Sequence, residues 1–447
     1  MKKTITLLAI LCFLNAFATD RFVDPNFSQG NGTTLFTTIM SAVAAAQNGD
    51  RIIVVSSTYN EAELTINKSI QIIPQIAGTT INFNANILVS GFAGMNLEII
   101  GFNLGSYTIT SNPNVQQNVN NRAQITIIDS NARIISINHD SYKLNLINCT
   151  ISEDIIFRNG SVVKCSTNNL FLNDESGVGN GTNLENNKTL IAANIVTSET
   201  QLLTDNTIYK VVNNNLKHLR VQKWSFDVTK RNEISNNNFA NQCEISFAIL
   251  DESAQSQPSS SFSGTGLQIF AQYGISEYNF SFNNNLFIGT VSYTTFPQDT
   301  SLSFLNFNGR MNSLFYGEDY YTTINNGSVR FSISSTESCW PNTYSGGFFE
   351  FGYNGFLNPT LTNSQNLNYS NTSGGTSNID GGSPNHRYYD IDLTINDRGR
   401  IGGPYSIQNY NASNPNNSRA FIFDLKMPAD IFPGQDVEIK AKGYHSN

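Results

Sequence analysis

Apolar residues along this chain fall in short runs broken by Asn, Gly, Ser and Thr, and two periodicities can be told apart. Phe36, Ile39, Met40 and Val43 follow the i, i+3, i+4, i+7 rule of a helix; Thr33 or Thr34 is placed to cap its start, and Asn48-Gly49 supplies a left-handed residue to end it. One amphipathic helix of three to four turns is expected. The pattern then shortens to that of strands at Arg51 to Val55, Leu64 to Ile66 and Ile70 to Ile73. Farther on, apolar strands ending in asparagine recur at Asn103, Asn148, Asn194, Asn215, Asn238 and Asn285, with spacings of 45, 46, 21, 23 and 47 residues. These lie close to one or two periods of about 23 residues. One such period holds three short strands with their turns, the unit of a β-helical rung. Asparagines at equal positions in stacked rungs hydrogen-bond along a ladder and tolerate the left-handed backbone of a tight turn. On this reading residues 51–375 form on the order of a dozen rungs. An N-terminal cap over residues 20–50, which contains this helix, covers the open first end, where apolar interior and unpaired strand edges would otherwise face water.

The two ends of the chain read differently. Lys2 and Lys3, the apolar residues 4–14 and the small residues Ala16 and Ala18 form a signal peptide over 1–19, removed near Ala18 or Thr19. A lipid anchor on Cys12 fits poorly, because the bulky Leu11 precedes it. No later stretch has the length of apolar sequence that a membrane span requires. Residues 376–406 are rich in Gly and Asp and break the strand pattern, as expected where a coil stops. Residues 407–447 contain two alternating strands, Ala420 to Lys426 and Gln435 to Lys442, expected to form a C-terminal β-hairpin or small β extension.

Composition narrows the class. Charged residues make up 13% of the chain, about half the usual share, and small uncharged polar residues replace them, which suits an all-β structure full of turns. Without Lys2 and Lys3, 34 acidic residues face 24 basic ones, a balance that disfavours nucleic acid as a partner. Cys149, Cys165, Cys243 and Cys339 are too widely spaced for a disulfide-stapled scaffold and read as buried free thiols.

The entry segment carries a resemblance. Phe22-Val23-Asp24, Gly30-Asn31-Gly32, Asn48-Gly49-Asp50, Thr58-Tyr59-Asn60-Glu61 and Lys68-Ser69-Ile70 come in an order that resembles the start of pectate-lyase-like right-handed parallel β-helix proteins. The likeness is close over about the first sixty residues after the leader and implies architecture, since lyases, hydrolases, epimerases and adhesins share this entry. The stretch with Asp380, Pro384 and Gly402-Gly403-Pro404 resembles the closing segment of many secreted bacterial β-helices. Within it Asp390, Asp392, Asn396 and Asp397 offer several oxygens to Ca²⁺, the one cofactor the sequence suggests, or cap turns and bond backbone amides.

The motif sets of two glycan-active groups are missing. Asn-Thr-Asp, Gly-His-Gly and Arg-Ile-Lys of polygalacturonase-like hydrolases do not occur, nor do Trp-Ile-Asp-His and Arg-x-Pro-x-x-Arg of one lyase family. The nearest approach to a functional cluster is residues 216–234, with Lys217, His218, Arg220, Lys223, Lys230 and Arg231 in a chain poor in charge. Alternation turns Leu219 and Val221 inward and puts His218 and Arg220 on one outer face, with Asp227 and Glu233 on the following turns. Such a patch suits uronates or sulfated sugars; it also suits a plain solvated surface. Trp340 and Tyr344, among the glycines of 339–356, offer an aromatic platform for sugar rings or fill the end of the coil. The expectation is a secreted, non-catalytic protein that binds a polysaccharide or cell-surface glycan or serves as an elongated adhesion element, with a polysaccharide lyase or glycoside hydrolase as the alternative.

Overall fold

The computed structural model describes residues 18–174 apart from 116, 117 and 119, then 188–204, 208–223, 232–240, 243–250, 265–271, 279–283, 285–288, 319–324, 327–334, 348–352 and 355–357. It further describes 380, 382, 384, 388–390, 394–397, 399, 400, 402–406, 421–426 and 440–444. The apolar leader run lies outside the described residues. The protein is mostly β, with extensive parallel sheets, and divides into two compact units, Met1–Thr150 and Ile151–Asn447.

In the first unit one parallel sheet runs through Asp20–Val23, Arg51–Val54, Gln71–Pro74, Asn96–Ile100, Ala123–Ile128 and Tyr142–Ile147, in chain order. From Arg51–Val54 onward, between successive strands of this sheet the chain adds two short strands to a second sheet. These form one ladder of Thr58–Tyr59, Ile81–Phe83, Phe102–Asn103 and Asn131–Ala132, and another of Leu64–Ile66, Ile87–Val89, Thr108–Ser111 and Ile134–Ile137. The register explains the isoleucine-rich sequence: Ile52, Ile72, Ile99, Ile127 and Leu146 occupy one column and are wholly buried, as are Ile87, Ile109 and Ile135 in the facing sheet. Each such side chain contributes about 1.5–3 kcal/mol by leaving water.

The helix is shorter than its periodicity predicts. It spans Ile39–Ala45, with Thr38 as its N-cap and Ala46 closing it. Phe36 instead lies in the strand Leu35–Phe36, where Val23 is its register partner, and the amides of Thr33, Thr34 and Leu35 all donate to Asn31 Oδ1. The chain there is held as an edge strand and a turn, so neither Thr33 nor Thr34 can cap. Asn48-Gly49 shapes the following turn: Asn48 Oδ1 accepts the Ser69 amide, and Gly49 has φ of 96°. Ile39, Ala42 and Val43 are buried, and the helix packs on Asp20–Val23, Leu35–Phe36 and Arg51–Val54.

In the second unit the first sheet passes through Gly160–Val163, Lys188–Ala192, Ile208–Val212, Asn232–Ser235, Asn279–Asn283 and Phe348–Gly352. The even 23-residue period fails here. Asn232–Ser235 pairs directly with Asn279–Asn283, so the 47-residue spacing is one turn with an insertion and not two turns. In the second sheet Thr265–Ala271 lies between Asn215–Lys223 and Cys243–Leu250, out of chain order, and Asp319–Ile324 runs antiparallel to Gly327–Ser334. Phe421–Lys426 and Lys440–Tyr444 form an antiparallel pair.

The Gly/Asp-rich segment, read in the sequence as the point where the coil stops, places its described residues against the side of earlier turns. Asn213 Nδ2 donates to the carbonyls of Arg400 and Gly402, Asn236 Nδ2 donates to Asn396 Oδ1 at 2.7 Å, and Asn238 Oδ1 accepts the Arg400 amide at 2.9 Å. Tyr405 packs on a buried cluster of Val163, Ala192, Ala193 and Val212, with Lys210 Nζ 5.6 Å from its ring centre.

Candidate functional site

Seven strands of the first sheet pass into the second through a single residue in the left-handed region. These are Gly101, Asp129 and Asn148 in the first unit and Lys164, Ala193, Asn213 and Asn236 in the second. The residue after each faces inward and must satisfy its polar atoms there. Ser130 Oγ accepts the Phe102 amide and donates to the Ile128 carbonyl, and the buried free thiols Cys149 and Cys165 donate to the carbonyls of Ile147 and Val163.

From Asn194 onward the position belongs to asparagine. Asn194 Nδ2 donates to Asn214 Oδ1 at 3.0 Å, Asn214 Nδ2 to Asn237 Oδ1 at 2.9 Å and Asn237 Nδ2 to Asn285 Oδ1 at 3.0 Å. The remaining hydrogens of Asn194, Asn214, Asn237 and Asn285 go to the carbonyls of Val162, Ile191, Val211 and Ile234. In the runs Asn213–Asn215 and Asn236–Asn238 the stacked residues are thus Asn214 and Asn237, one place before the Asn215 and Asn238 that the sequence spacing picks out, whereas Asn194 and Asn285 stack as the spacing has them. These buried amides are a structural column. They are spent on one another, and the outward faces must carry any contact with a ligand.

The basic run singled out in the sequence falls partly on the strand Asn215–Lys223. This strand is held between Ile195–Thr204 and Thr265–Ala271. Leu216 and Leu219 are fully buried and Lys217 is exposed, so the inward positions change phase between Leu216 and Leu219, where the neighbouring strand carries its register shift. The register puts His218 opposite Glu199 and Gly266, Arg220 opposite Gln201 and Gln268, and Lys223 opposite Thr204 and Ala271. Glu199 and Gln201 were not singled out in the sequence. A register shift between Val196 and Glu199 intervenes, and only aligning the repeat Glu199-Thr200-Gln201 with His218-Leu219-Arg220 would have found them.

Glu233 does not sit on a turn beside this patch. It belongs to Asn232–Ser235 of the other sheet and pairs with Lys210 at 3.5 Å while accepting the Ser235 hydroxyl at 2.7 Å. Asp227, Lys230, Arg231, Trp340 and Tyr344 lie outside the described residues.

Of the four oxygen donors proposed for Ca²⁺, Asp392 is outside the described residues. Asp390 accepts the amides of Asp397 and Gly403, Asp397 accepts that of Asp380 at 2.7 Å, and Asn396 exchanges hydrogen bonds with Asn236. These contacts form and fasten the segment. Among the described residues no group of three His, Cys, Asp or Glu side chains is placed to hold a metal ion, and no helix is long and apolar enough to cross a membrane. Compared with family models, curated proteins and solved structures, the chain matches none.

Proposed function

We propose that this chain is a secreted right-handed parallel β-helix of the pectate-lyase-like kind that binds an acidic glycan along the outer face of Asn215–Lys223 without transforming it. Three features support the architecture: parallel strands recurring in register, two short second-sheet strands between successive first-sheet strands, and a helix packed on the first three strands of the first unit. The observation that carries the binding reading is the register row Gln201–Arg220–Gln268, with His218 two places before Arg220 on the same strand. Amides and a guanidinium repeating at the strand spacing suit the hydroxyls and carboxylates of a uronate polymer.

The same rows weigh against a hydrolase. Glu199 and Glu244 flank His218 and Gly266 three strand steps apart, about 14 Å at the usual strand spacing. Inverting hydrolysis works with carboxyl groups about 6.5–9.5 Å apart and retaining hydrolysis with less.

The test is a titration of the full mature chain with polygalacturonate, alginate and a sulfated glycan, with starch as a neutral control. Binding of at least one acidic polymer is expected, with affinity falling as salt rises and about tenfold weaker in an Arg220→Ala variant. Unchanged affinity in that variant removes the site. Release of unsaturated uronides or reducing ends from any polymer replaces the binding reading with an enzymatic one.

A further inference from the structure

We infer that the chain is cut between Ala18 and Thr19 and that the ammonium group this creates on Thr19 docks on the buried carboxylate of Asp50. The inference rests on the proposed export of the chain and is independent of glycan binding.

The Thr19 nitrogen lies 2.9 Å from Asp50 Oδ1. Asp50 is 2% exposed, and its carboxylate also accepts Arg21 Nε at 2.7 Å and the Gln47 amide at 2.8 Å. The Thr19 carbonyl accepts the Arg51 amide at 3.1 Å, so the sheet begins to hold the chain at Thr19, whereas Ala18 is exposed. The bond between them joins an exposed residue to a fastened one. It is also the bond that Ala16 and Ala18 mark for a leader peptidase, which needs small residues at those two places.

The chemistry is a hydrolysis by an endopeptidase of the leader-peptidase class. One water is consumed, the C–N bond breaks, Ala18 departs as a carboxylate and Thr19 keeps an amino group. With an ordinary value of about 7.7–8.0 that group is mostly protonated at neutral pH. An uncut chain presents one amide hydrogen to Asp50; a cut chain presents three and a positive charge in the same place. The docking requires the new amine, so it follows the cut.

Asp50 is suited to receive the charge. Burial alone would push its carboxyl up, but the Gln47 and Thr19 amides and the Arg21 guanidinium outweigh it and hold the carboxyl below its usual range. The other charged groups facing Thr19 are Arg21, which shares the carboxylate, and Asp20 and Arg51, which pair with each other at 2.7 Å on the exposed side. An ammonium bonded to Asp50 titrates higher than a free one. Its stabilisation is therefore complete below the unfolded value of about 7.7–8.0 and is lost as pH rises through the folded value.

Two measurements decide the matter. Intact mass and N-terminal sequencing of the chain exported by a secreting host should give Thr19 as the first residue; any other start, or a retained leader, overturns the cut. The mature chain with a free Thr19 amine should melt about 1–3 °C above the same chain N-acetylated at pH 6.5, and equally with it at pH 10. In Asp50→Asn the two forms should melt together at both pH values. Equal melting of the two wild-type forms at pH 6.5 overturns the docking, and that comparison stands even where Asp50→Asn does not fold.

Discussion

Asn214 and Asn215 are neighbours, each no more than 1% exposed, and chemically identical, yet they stand in opposite positions. Asn214 uses both amide hydrogens and its carbonyl oxygen, giving to Asn237 and Ile191 and receiving from the side chain and backbone of Asn194. Among the described residues, neither the side-chain amide nitrogen nor the oxygen of Asn215 has a partner. Removing one member of a bonded buried set strands the others, whereas removing a group already stranded relieves a cost. Asn214→Ala should therefore lose about 2–4 kcal/mol in urea denaturation, and Asn215→Leu should stay within about 1 kcal/mol of the parent or gain. A larger loss for Asn215→Leu than for Asn214→Ala would mean that the ladder does not stabilise the turns. The sequence shows that asparagines stack with a period near 23 residues but not which of three consecutive ones does so. That choice depends on which residue takes the left-handed turn, and Asn213, Asn214 and Asn215 suit it equally by type. At Lys164 and Ala193 residue type gives no warning of positive φ; pairing on both sides imposes it.

At the scale of elements, the short helix depends on a residue two strands away. The Glu61 carboxylate accepts the amides of Ile39 and Met40 at 2.7 and 2.8 Å, and Lys68 Nζ donates to the carbonyls of Val43 and Ala44 at the other end. A seven-residue helix has too few internal bonds to hold itself, so external partners for its end groups carry much of its stability. Glu61→Ala should cost about 1–2 kcal/mol in a denaturant melt, with Glu61→Gln costing less because one acceptor remains. Equal losses for the two variants would place the effect in packing. The apolar stripe of this helix was legible because Ile39 and Val43 face the core at helical spacing. Its start was not, since Phe36 continues the stripe while belonging to a strand. The candidate site divides in the same way. Alternation around Leu219 put His218 and Arg220 on one side, but their neighbours Glu199 and Gln201 depend on a shifted register that no local pattern reveals.

For the molecule as a whole, stacked turns bond mainly to the turns before and after them, and stability then behaves as a chain of neighbour terms. The Asn194–Asn285 column joins four turns of the second unit, and residues 396–403 fasten to two of the same turns through Asn213 and Asn236. Breaking one link should therefore act regionally. In Asn214→Ala, amide hydrogen exchange should quicken in Lys188–Ala192, Ile208–Val212 and Asn232–Ser235, whose strands the column ties together. Protection in Arg51–Val54, Gln71–Pro74 and Asn96–Ile100 of the first unit should be retained, because those strands pair with one another and none of them touches the asparagine column. A uniform fall across all these strands would show that the chain opens as one cooperative body, in which a lost amide contact is felt everywhere. A regional fall would mean that each turn tolerates substitution according to its own neighbours. The outer face of Asn215–Lys223 could then vary in sequence, and in what it binds, while the inward column beneath it stays fixed.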